Sequence, residues 1–496
     1  MAQETPVKPF PLQGIFGVFF SYIFNLLIER FNPAPQPAPP APNQPPATPH
    51  ALTPADGATN VSTNTTLHWT CSDPDQDPVS YTITLHAPGQ PSRTIYQGAR
   101  THTRLTNLAS NTSYTWTITA TDSHNTSSTT STFTTIPAPQ PAQNTDENHT
   151  GWTVMVYLDG DNNLDRYAWN EWQEINASAL QENVTVVVLL DGNTSSDSHL
   201  YVVTSQGFQE TPLCEIRQDW GNEVNMGDGG TLSAFIDYAM ENHPAGHYML
   251  EMWSHGSGWM GMCNDATAGD RLQLSEITDA LAAGIGNRSE KIDVVTYIAC
   301  KMAEIECASG LADHVDYFIA SQESVFASGL PHTDLLESIN DTTSVPAFAT
   351  MIVDRFTSFY QHAPDATISV WRLDHLNNLT CAVDGFAQSL AAGNRNLIQM
   401  AYNDTESFGG IGLVDLWDFC SNIQKHTGSD TEVYEAAQHV TENVSAIVYD
   451  EWNGGSHPDA HGISIYFPRQ NCYITSYGNT AFATHTNWDE FLQTYC

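Results

Sequence analysis

Two residues, His255 and Cys300, are of types that can cleave an acyl bond together. Each closes a predicted apolar strand: the run YMLEMWSH ends at His255, and the run IDVVTYIAC ends at Cys300, 45 residues later. A thiol attacks a carbonyl as its thiolate, so it needs a neighbour that accepts its proton. An imidazole can accept that proton and return it to the leaving amine. The pair therefore predicts a cysteine hydrolase that cleaves peptide bonds.

The elements around this pair indicate an α/β domain over residues 151–496. Candidate strands are Trp152–Asp159, Val184–Asp191, His247–His255, Ile292–Cys300 and Tyr317–Ser321, and helical patterns fall near 162–179, 231–242, 274–283 and 301–312. Apolar strands alternating with helices are typical of a mainly parallel sheet with helices on both faces. If the strands of His255 and Cys300 are neighbours, they lie about 4.8 Å apart and end at the same edge of the sheet.

Two backbone N–H groups and one helix are expected to assist the nucleophile. Attack on a carbonyl creates an oxyanion, and the N–H groups of Gly256 and Cys300 are the natural donors for it. A helix that starts after Cys300 would place the thiolate at a positive helix end, which stabilises negative charge.

The competing interpretation is structural. One histidine of nineteen usually has a structural role, and one cysteine of nine is more often buried or disulfide-bonded. The joint placement of His255 and Cys300 at two successive strand ends favours catalysis. No CxxC, GxSxG or HExxH motif is present, which argues against zinc-ribbon, serine-hydrolase and zincin classes. A papain-like enzyme has its cysteine before its histidine, the reverse of the order here.

The charge balance excludes one class of partner. The chain has 56 acidic and 16 basic residues, a formal net charge of −40. A field of this sign repels phosphate backbones, so no nucleic acid partner is expected. It favours cationic substrates or metal ions, or simply keeps an exposed protein soluble.

The N-terminal region predicts export. Residues 1–32 contain the apolar run Ile15–Ile28, too short to span a bilayer but suited to a signal or shallow membrane anchor. Residues 33–50 form a proline-rich linker, and a second linker covers 137–150. Thirteen N-x-S/T sequons, more than chance supplies, suggest an extracellular or cell-surface glycoprotein. Nothing in the sequence specifies an oligomeric state.

Residues 51–136 between the linkers read as an all-β domain. Apolar residues alternate with polar ones in LHWTC and in YTWTITA, and turn sequences such as PADG and SDPDQDP separate the runs. The segment resembles a fibronectin type III domain in LTPADGATNVS, LHWTCSDPDQDPVSY and NTSYTWTITATD, which implies a small sandwich used as spacer or binding module. Asp73, Asp75 and Asp77 are read as an acidic turn in preference to a calcium site.

Residues 151–496 resemble the clostripain family of cysteine peptidases, which have a caspase-like fold. The similar stretches are WTVMVYLDGDNNLD, WSHGSGW, ACKMAEIE, ASQESVFASGLPHTDLLESI, GLVDLWDF, HGISIYFP and NWDEFLQTY. The resemblance implies catalytic roles for His255 and Cys300 and an oxyanion-hole role for Gly256. It implies a protein or peptide substrate and no cofactor for the chemistry itself. Calcium is a candidate ligand, for which Asp159, Asp161 and Asp165 offer carboxylates, although a turn that caps the next helix also explains them.

One position departs from the family pattern. The family has Asp-Ala-Cys at the nucleophile, and that aspartate helps to form a pocket for a basic residue before the scissile bond. Here the triplet is Ile298-Ala299-Cys300, so a pocket that includes Ile298 and Ser321 is expected to prefer an uncharged or hydrophobic residue. Family members are commonly activated by self-cleavage between the catalytic residues, and Arg271 is a candidate cut site. The alternative function is that of an inert surface adhesion or binding protein on the same scaffold.

Overall fold

The computed structural model describes residues 43–61, 65–75, 77–105, 108–109, 111–135, 150–410, 412–428 and 431–496. The chain divides into two compact units, 1–140 and 141–496. The predicted segment 1–32, with its apolar run 15–28, lies outside the described residues, as do most of the two predicted linkers. Across the described ranges, no helix has both the length and the apolar character that crossing a membrane requires.

The first unit is an all-β sandwich. Its strands are β1 His50–Thr53, β2 Ala58–Val61, β3 Thr65–Thr70, β4 Ser80–His86, β5 Arg93–Gly98, β6 His102–Leu105, β7 Ser113–Thr121 and β8 Thr126–Thr135. They form one sheet of order β1-β3-β6 and another of order β2-β8-β7-β4-β5. Alternate residues, including Trp69 and Trp116, point into one shared core, which confirms the predicted all-β architecture.

The boundary of this unit differs from the predicted one. Pro46 and Pro49, assigned to the linker, are buried, and the Ala47 N–H donates to the Ser72 carbonyl at 2.8 Å. The end of the proline-rich segment therefore belongs to the sandwich. Asp73 accepts hydrogen bonds from the N–H groups of Asp75 and Asp77, which is the expected acidic turn.

The second unit is α/β. Its strands are β9 Trp152–Asp159, β10 Val184–Asp191, β11 His199–Thr204, β12 Gly207–Thr211, β13 His247–Trp253, β14 Met262–Asp265, β15 Asp270–Leu272, β16 Ile292–Ile298, β17 Val315–Ala320, β18 Thr367–Arg372, β19 Ser407–Phe408, β20 Leu413–Asp415, β21 Val448–Asn453 and β22 Ser464–Tyr466. Its helices are α1 Asp165–Ala177, α2 Gly229–Asn242, α3 Leu274–Ile285, α4 Ile305–Ala308, α5 His332–Leu336, α6 Val345–Tyr360, α7 Leu376–Ala391, α8 Arg395–Asp404, α9 Leu416–His426, α10 Glu432–Ile447, α11 Ala481–His485 and α12 Trp488–Tyr495.

One nine-stranded sheet organises this unit, in the order β12-β11-β10-β9-β13-β16-β17-β18-β21. The five central strands are parallel to one another: β10, β9, β13, β16 and β17. The sheet continues through antiparallel pairings to two further strands on each side. Residues of α2 and α3 pack in the core on one face, and residues of α1 and α6 pack in the core on the other. The predicted α/β class, with a parallel centre and helices on both faces, is confirmed.

Strand order reverses between β9 and β13. The chain runs from β9 outward to β10 and then returns to place β13 on the other side of β9. Such a switch point leaves a crevice at the carboxyl ends of the strands, where sites form in open α/β sheets.

The predicted helix over 301–312 is wrong. Only Ile305–Ala308 is helical, because residues 300 and 301 form a turn and Glu304 makes a bridge with Ser464. The predicted strands ending at His255 and Cys300 in fact end at Trp253 and Ile298.

Candidate active site

His255 and Cys300 follow adjacent parallel strands at the same edge of the sheet. Trp253 of β13 is in register with Ile298 of β16, so each site residue lies two positions beyond a paired strand end. The backbones are in close contact there: a Cβ on Gly256 would lie 2.6 Å from the Cys300 carbonyl oxygen. Only glycine at 256 allows this approach.

The imidazole of His255 is held by Asn163, a side chain that was not predicted from the sequence to belong to the site. His255 Nε2 lies 2.9 Å from Oδ1 of Asn163, in the turn after β9. An amide oxygen only accepts, so Nε2 carries the proton and Nδ1 is the free base in the neutral ring. Burial lowers the pKa of His255 below its ordinary value, which keeps the ring neutral and able to accept a proton.

Cys300 is a partly exposed free thiol. Its sulfur lies 3.9 Å from the carbonyl oxygen of Val325, in the loop after β17. Since no helix starts at Cys300, the expected stabilisation of the thiolate by a helix dipole is wrong.

Lys301 fixes the turn that carries Cys300. Its φ is +62°, a left-handed conformation that costs a non-glycine residue about 1–2 kcal/mol. The Lys301 N–H donates to the Glu323 carbonyl at 3.2 Å, and Nζ donates to Glu323 Oε1 at 2.9 Å. Burial alone would raise the pKa of Glu323, but the hydrogen bonds from Lys301 and Ser324 outweigh it and lower the pKa.

Both expected oxyanion donors have unused N–H groups. The backbone hydrogen bonds around Gly256 run from the Ser257 N–H to the Gly261 carbonyl and from the Cys263 N–H to the His255 carbonyl. Among the described residues, the N–H groups of Gly256 and Cys300 donate to no other group. Both residues are partly exposed, so a bound carbonyl oxygen has access to them.

Glu304 connects the segment around Cys300 with the turn that follows His255. Gly258 has a φ of +57°, and a Cβ there would lie 1.6 Å from Glu304 Oε1. The Trp259 N–H donates to Glu304 Oε2 at 2.9 Å. Burial raises the pKa of this carboxyl well above its ordinary value. The turn after His255 is therefore built on a side chain that follows Cys300 by four positions.

The predicted pocket residues Ile298 and Ser321 are both in the interior, each 3% exposed. Ile298 belongs to the apolar core on the α1 face. The Ser321 hydroxyl lies 2.9 Å from the Thr367 hydroxyl and donates to the Glu323 carbonyl at 2.9 Å. Both side chains are therefore part of the packed interior next to the site, and neither lines an open pocket.

The predicted calcium ligands are only partly brought together. Asp161 clusters with Asp191 and Asp265, their nearest carboxylate oxygens all within 4.8 Å of one another. Asp159 instead accepts a hydrogen bond from Ser254 at 2.7 Å. Asp165 accepts a hydrogen bond from the backbone N–H of Asn193. Neither Asp159 nor Asp165 belongs to the cluster.

This acid cluster contains unpaired buried oxygens. Asp191 and Asp197 form a second group with Glu223, and Asp191 Oδ2 and both Glu223 carboxylate oxygens lack a hydrogen-bond partner among the described residues. Burial raises the pKa of Asp191 to about 9 and that of Asp265 to about 6. Buried carboxylates without partners are expected where a cation neutralises them.

A buried ionic network centred on His332 lies at the end of the loop after β17, whose Val325 carbonyl faces Cys300. His332, 1% exposed, binds Glu171 through Nδ1 at 2.8 Å and Glu251 through Nε2 at 3.1 Å. Burial acts to lower the pKa of His332, but the two carboxylates outweigh it and raise the pKa well above its ordinary value. The imidazolium thus links α1 and β13 to the end of this loop.

The candidate cut site Arg271 lies in β15, where it pairs with Asn264 of β14. Cleavage there would require this two-stranded hairpin to open.

Comparison with known proteins places these features in one family. The model described as Clostripain family (Peptidase_C11) matches residues 156–495. Clostripain from Hathewaya histolytica is 22% identical over 429 residues, which cover 69% of this chain and 80% of that protein. The structure of a secreted C11 cysteine protease from Bacteroides thetaiotaomicron with an irreversible peptide inhibitor gives a TM-score of 0.54 at 20% identity, covering 68% of this chain and 99% of that one. An inactive zymogen C11 protease from Parabacteroides distasonis gives 0.55 at 19% identity, covering 69% and 99%.

Proposed function

Because the chain belongs to the clostripain family of cysteine peptidases, we propose that it is an endopeptidase that uses Cys300 as nucleophile and His255 as proton acceptor and donor. The observation that carries this proposal is the contact between the two backbones at adjacent strand ends, with a free thiol on one and a neutral imidazole on the other.

The chemistry follows from these groups. The Cys300 thiol gives its proton to His255 as sulfur bonds to the peptide carbonyl carbon, and the N–H groups of Gly256 and Cys300 bind the oxyanion. His255 then protonates the amine as the C–N bond breaks, leaving a thioester. Water attacks the thioester carbonyl while His255 takes its proton. The C–S bond then breaks, the acid product leaves, and His255 returns the proton to the Cys300 sulfur.

We propose that this enzyme does not select a basic residue before the scissile bond. The acid of the family pattern is replaced by Ile298, and the nearby carboxylate of Glu323 is engaged by Lys301. A positional-scanning peptide library tests the proposal, and strong selection for Arg or Lys would contradict it.

Export to the outside of the cell remains part of the proposal. It is supported by the secreted relative from Bacteroides thetaiotaomicron, by the apolar run 15–28 and by the sequons. The sandwich unit would act as a fibronectin type III-like spacer or binding module, an assignment that its strand order β1-β3-β6 against β2-β8-β7-β4-β5 favours.

A calcium ion is proposed for the acid cluster, with Asp161, Asp191 and Asp265 as ligands and Asp197 and Glu223 beside them. Hard carboxylate oxygens suit this ion, and when bound it would supply neutralising charge and take no chemical part. Calorimetric titration with CaCl₂ and melting with and without the ion test the site. Asp191→Asn should abolish binding, whereas Asp279→Asn, on the exposed face of α3, should retain it. Equal binding by both variants would contradict the proposal.

A peptide-cleavage assay tests the main function. The intact protein should cleave a mixed peptide library, and Cys300→Ala and His255→Ala should each lose nearly all activity. Cys214→Ala, which removes an exposed thiol, is the matched control and should remain active. A properly folded but inactive intact protein would favour the alternative of an inert adhesion or binding protein.

A further inference from the structure

Two exposed phenylalanines stand out on the surface of the second unit. Phe326 is 44% exposed and Phe359 is 52% exposed. Both pack on Tyr360: Phe326 stacks on its ring at 5.3 Å, and Phe359 meets it edge-on at 4.8 Å. We call these three residues the aromatic patch. Apolar surface of this kind on a soluble domain marks a binding surface more often than isolated exposed residues do.

The aromatic patch is continuous with the candidate active site. Phe326 directly follows Val325, whose carbonyl oxygen lies 3.9 Å from the Cys300 sulfur. An extended peptide advances about 3.3 Å per residue, so a substrate held over Cys300 reaches Phe326 within one to three residues of its scissile bond.

The aromatic patch is also held firmly in place. The Gly329 N–H donates to the Phe326 carbonyl at 3.0 Å, and the Tyr360 hydroxyl donates to the Gly329 carbonyl at 2.9 Å. Gly329 abuts the indole of Trp253, since a Cβ there would lie 2.7 Å from its Nε1. The patch is thus tied to α6 and to the end of β13, the strand that leads to His255.

Most carboxylates near this loop are already paired, and the exception is the exposed Glu174 beside Glu171 and His332. Glu323 is bound by Lys301 at 2.9 Å, and Glu171 and Glu251 are bound by His332. The segment 325–330 is Val-Phe-Ala-Ser-Gly-Leu, with no charge. A substrate cation would meet only the solvent-exposed Glu174, and an ion pair in water contributes little. An apolar side chain would instead bury itself against the rings.

We propose that the aromatic patch is a specificity subsite that binds an apolar side chain, aromatic or large aliphatic, close to the scissile bond of a peptide substrate. This inference rests on the proposed peptidase function and names the substrate class that it acts on.

The test compares Phe326→Ser/Phe359→Ser with Phe208→Ser in the full chain. Phe208 is the matched control, because it is also 52% exposed but lies on β12, at one outer edge of the sheet. A positional-scanning library of internally quenched peptides identifies the preferred residues of the intact protein. The variants are then measured on two peptides that differ only by Phe or Ser at the selected position. A binding arm measures the anisotropy of the labelled Phe peptide on Cys300→Ala proteins.

We expect the double variant to lose about tenfold in kcat/KM on the Phe peptide, mainly through KM, with little change on the Ser peptide. Its Kd in the binding arm should rise by a similar factor, and the control should behave like the intact protein. Phe326→Leu should retain most of the preference, which separates lost contact from lost folding.

Three results would overturn the inference. These are a preference of the intact protein for basic residues, an unchanged profile and Kd in the double variant, or a change in molar mass by light scattering without a change in selectivity. The last would identify the patch as a contact between two copies. If the intact protein and Cys300→Ala cleaved equally, the proposed peptidase function would fail, while the binding arm would still report on the patch.

Discussion

Asn163 should control both the rate and the pH dependence of catalysis. It lies in the turn after β9, is exposed, and its Oδ1 is 2.9 Å from His255 Nε2. Removing a neutral hydrogen bond costs about 0.5–1.5 kcal/mol, or about two- to twelvefold in rate. Asn163→Ala should therefore lower kcat by about that factor. Because the side chain is exposed, the melting temperature should change little.

Asn163→Asp probes the same contact through charge. A carboxylate beside the imidazole favours its protonated form and raises its pKa by about 1–3 units. The intact protein needs neutral His255 as base, and burial lowers the pKa of His255. The acidic limb of kcat/KM should thus lie below the ordinary histidine value of about 6.5, and the variant should move it upward by at least about one pH unit.

The assay is a pH series of kcat/KM from pH 4.5 to 9 with one quenched peptide. Asn396→Ala removes an exposed amide on α8, remote in sequence from both site residues, and is the matched control. An acidic limb that stays in place in Asn163→Asp, or an Asn163→Ala variant that behaves like the control, would show that Asn163 does not act on His255.

Two further changes test the support around the site. Gly258→Ala should lower stability by about 3 kcal/mol or more, because the new Cβ would lie 1.6 Å from Glu304 Oε1 at a φ of +57° and must displace a buried, hydrogen-bonded carboxyl; an unchanged urea midpoint would count against this coupling. His332→Leu should cost about 3–5 kcal/mol, since it leaves Glu171 and Glu251 buried without their common partner. Adding Glu171→Gln and Glu251→Gln to that variant should recover part of the loss, and no recovery would argue against an ionic role.

The strand pattern made much of the fold predictable from sequence. Val184–Asp191 is a continuous apolar run because both of its faces are covered, and its predicted bounds match the structure. The spacing of His255 and Cys300 was informative because the two strands before them are direct neighbours. The helix after Cys300 was misread because CKMAEIE has helical residue types, whereas its two glutamates are buried in tertiary contacts at Glu304 and Glu306.

The long-range contacts of the site had no local signal. Asn163 was passed over within DGDNNLD because its role requires β9 to lie beside β13, which sequence spacing does not specify. The acid cluster combines Asp161, in the turn after β9, with Asp191 at the end of β10 and Asp265 at the end of β14. The nearby aspartates Asp159 and Asp165 suggested a local site that the structure does not form. These contacts depend on sheet order, and sheet order is decided by packing across the whole unit.

Stoichiometric alkylation with iodoacetamide tests whether Cys300 is the activated thiol of this protein. Cys214, Cys381 and Cys472 are exposed, whereas Cys300 is only partly exposed. Reactivity set by access alone would therefore favour those three thiols over Cys300. We expect peptide mapping to find one equivalent of label on Cys300, with cleavage lost in proportion. His255→Ala should remove this selectivity. Preferential labelling of Cys214, Cys381 or Cys472 with cleavage intact would contradict the role of Cys300 as nucleophile.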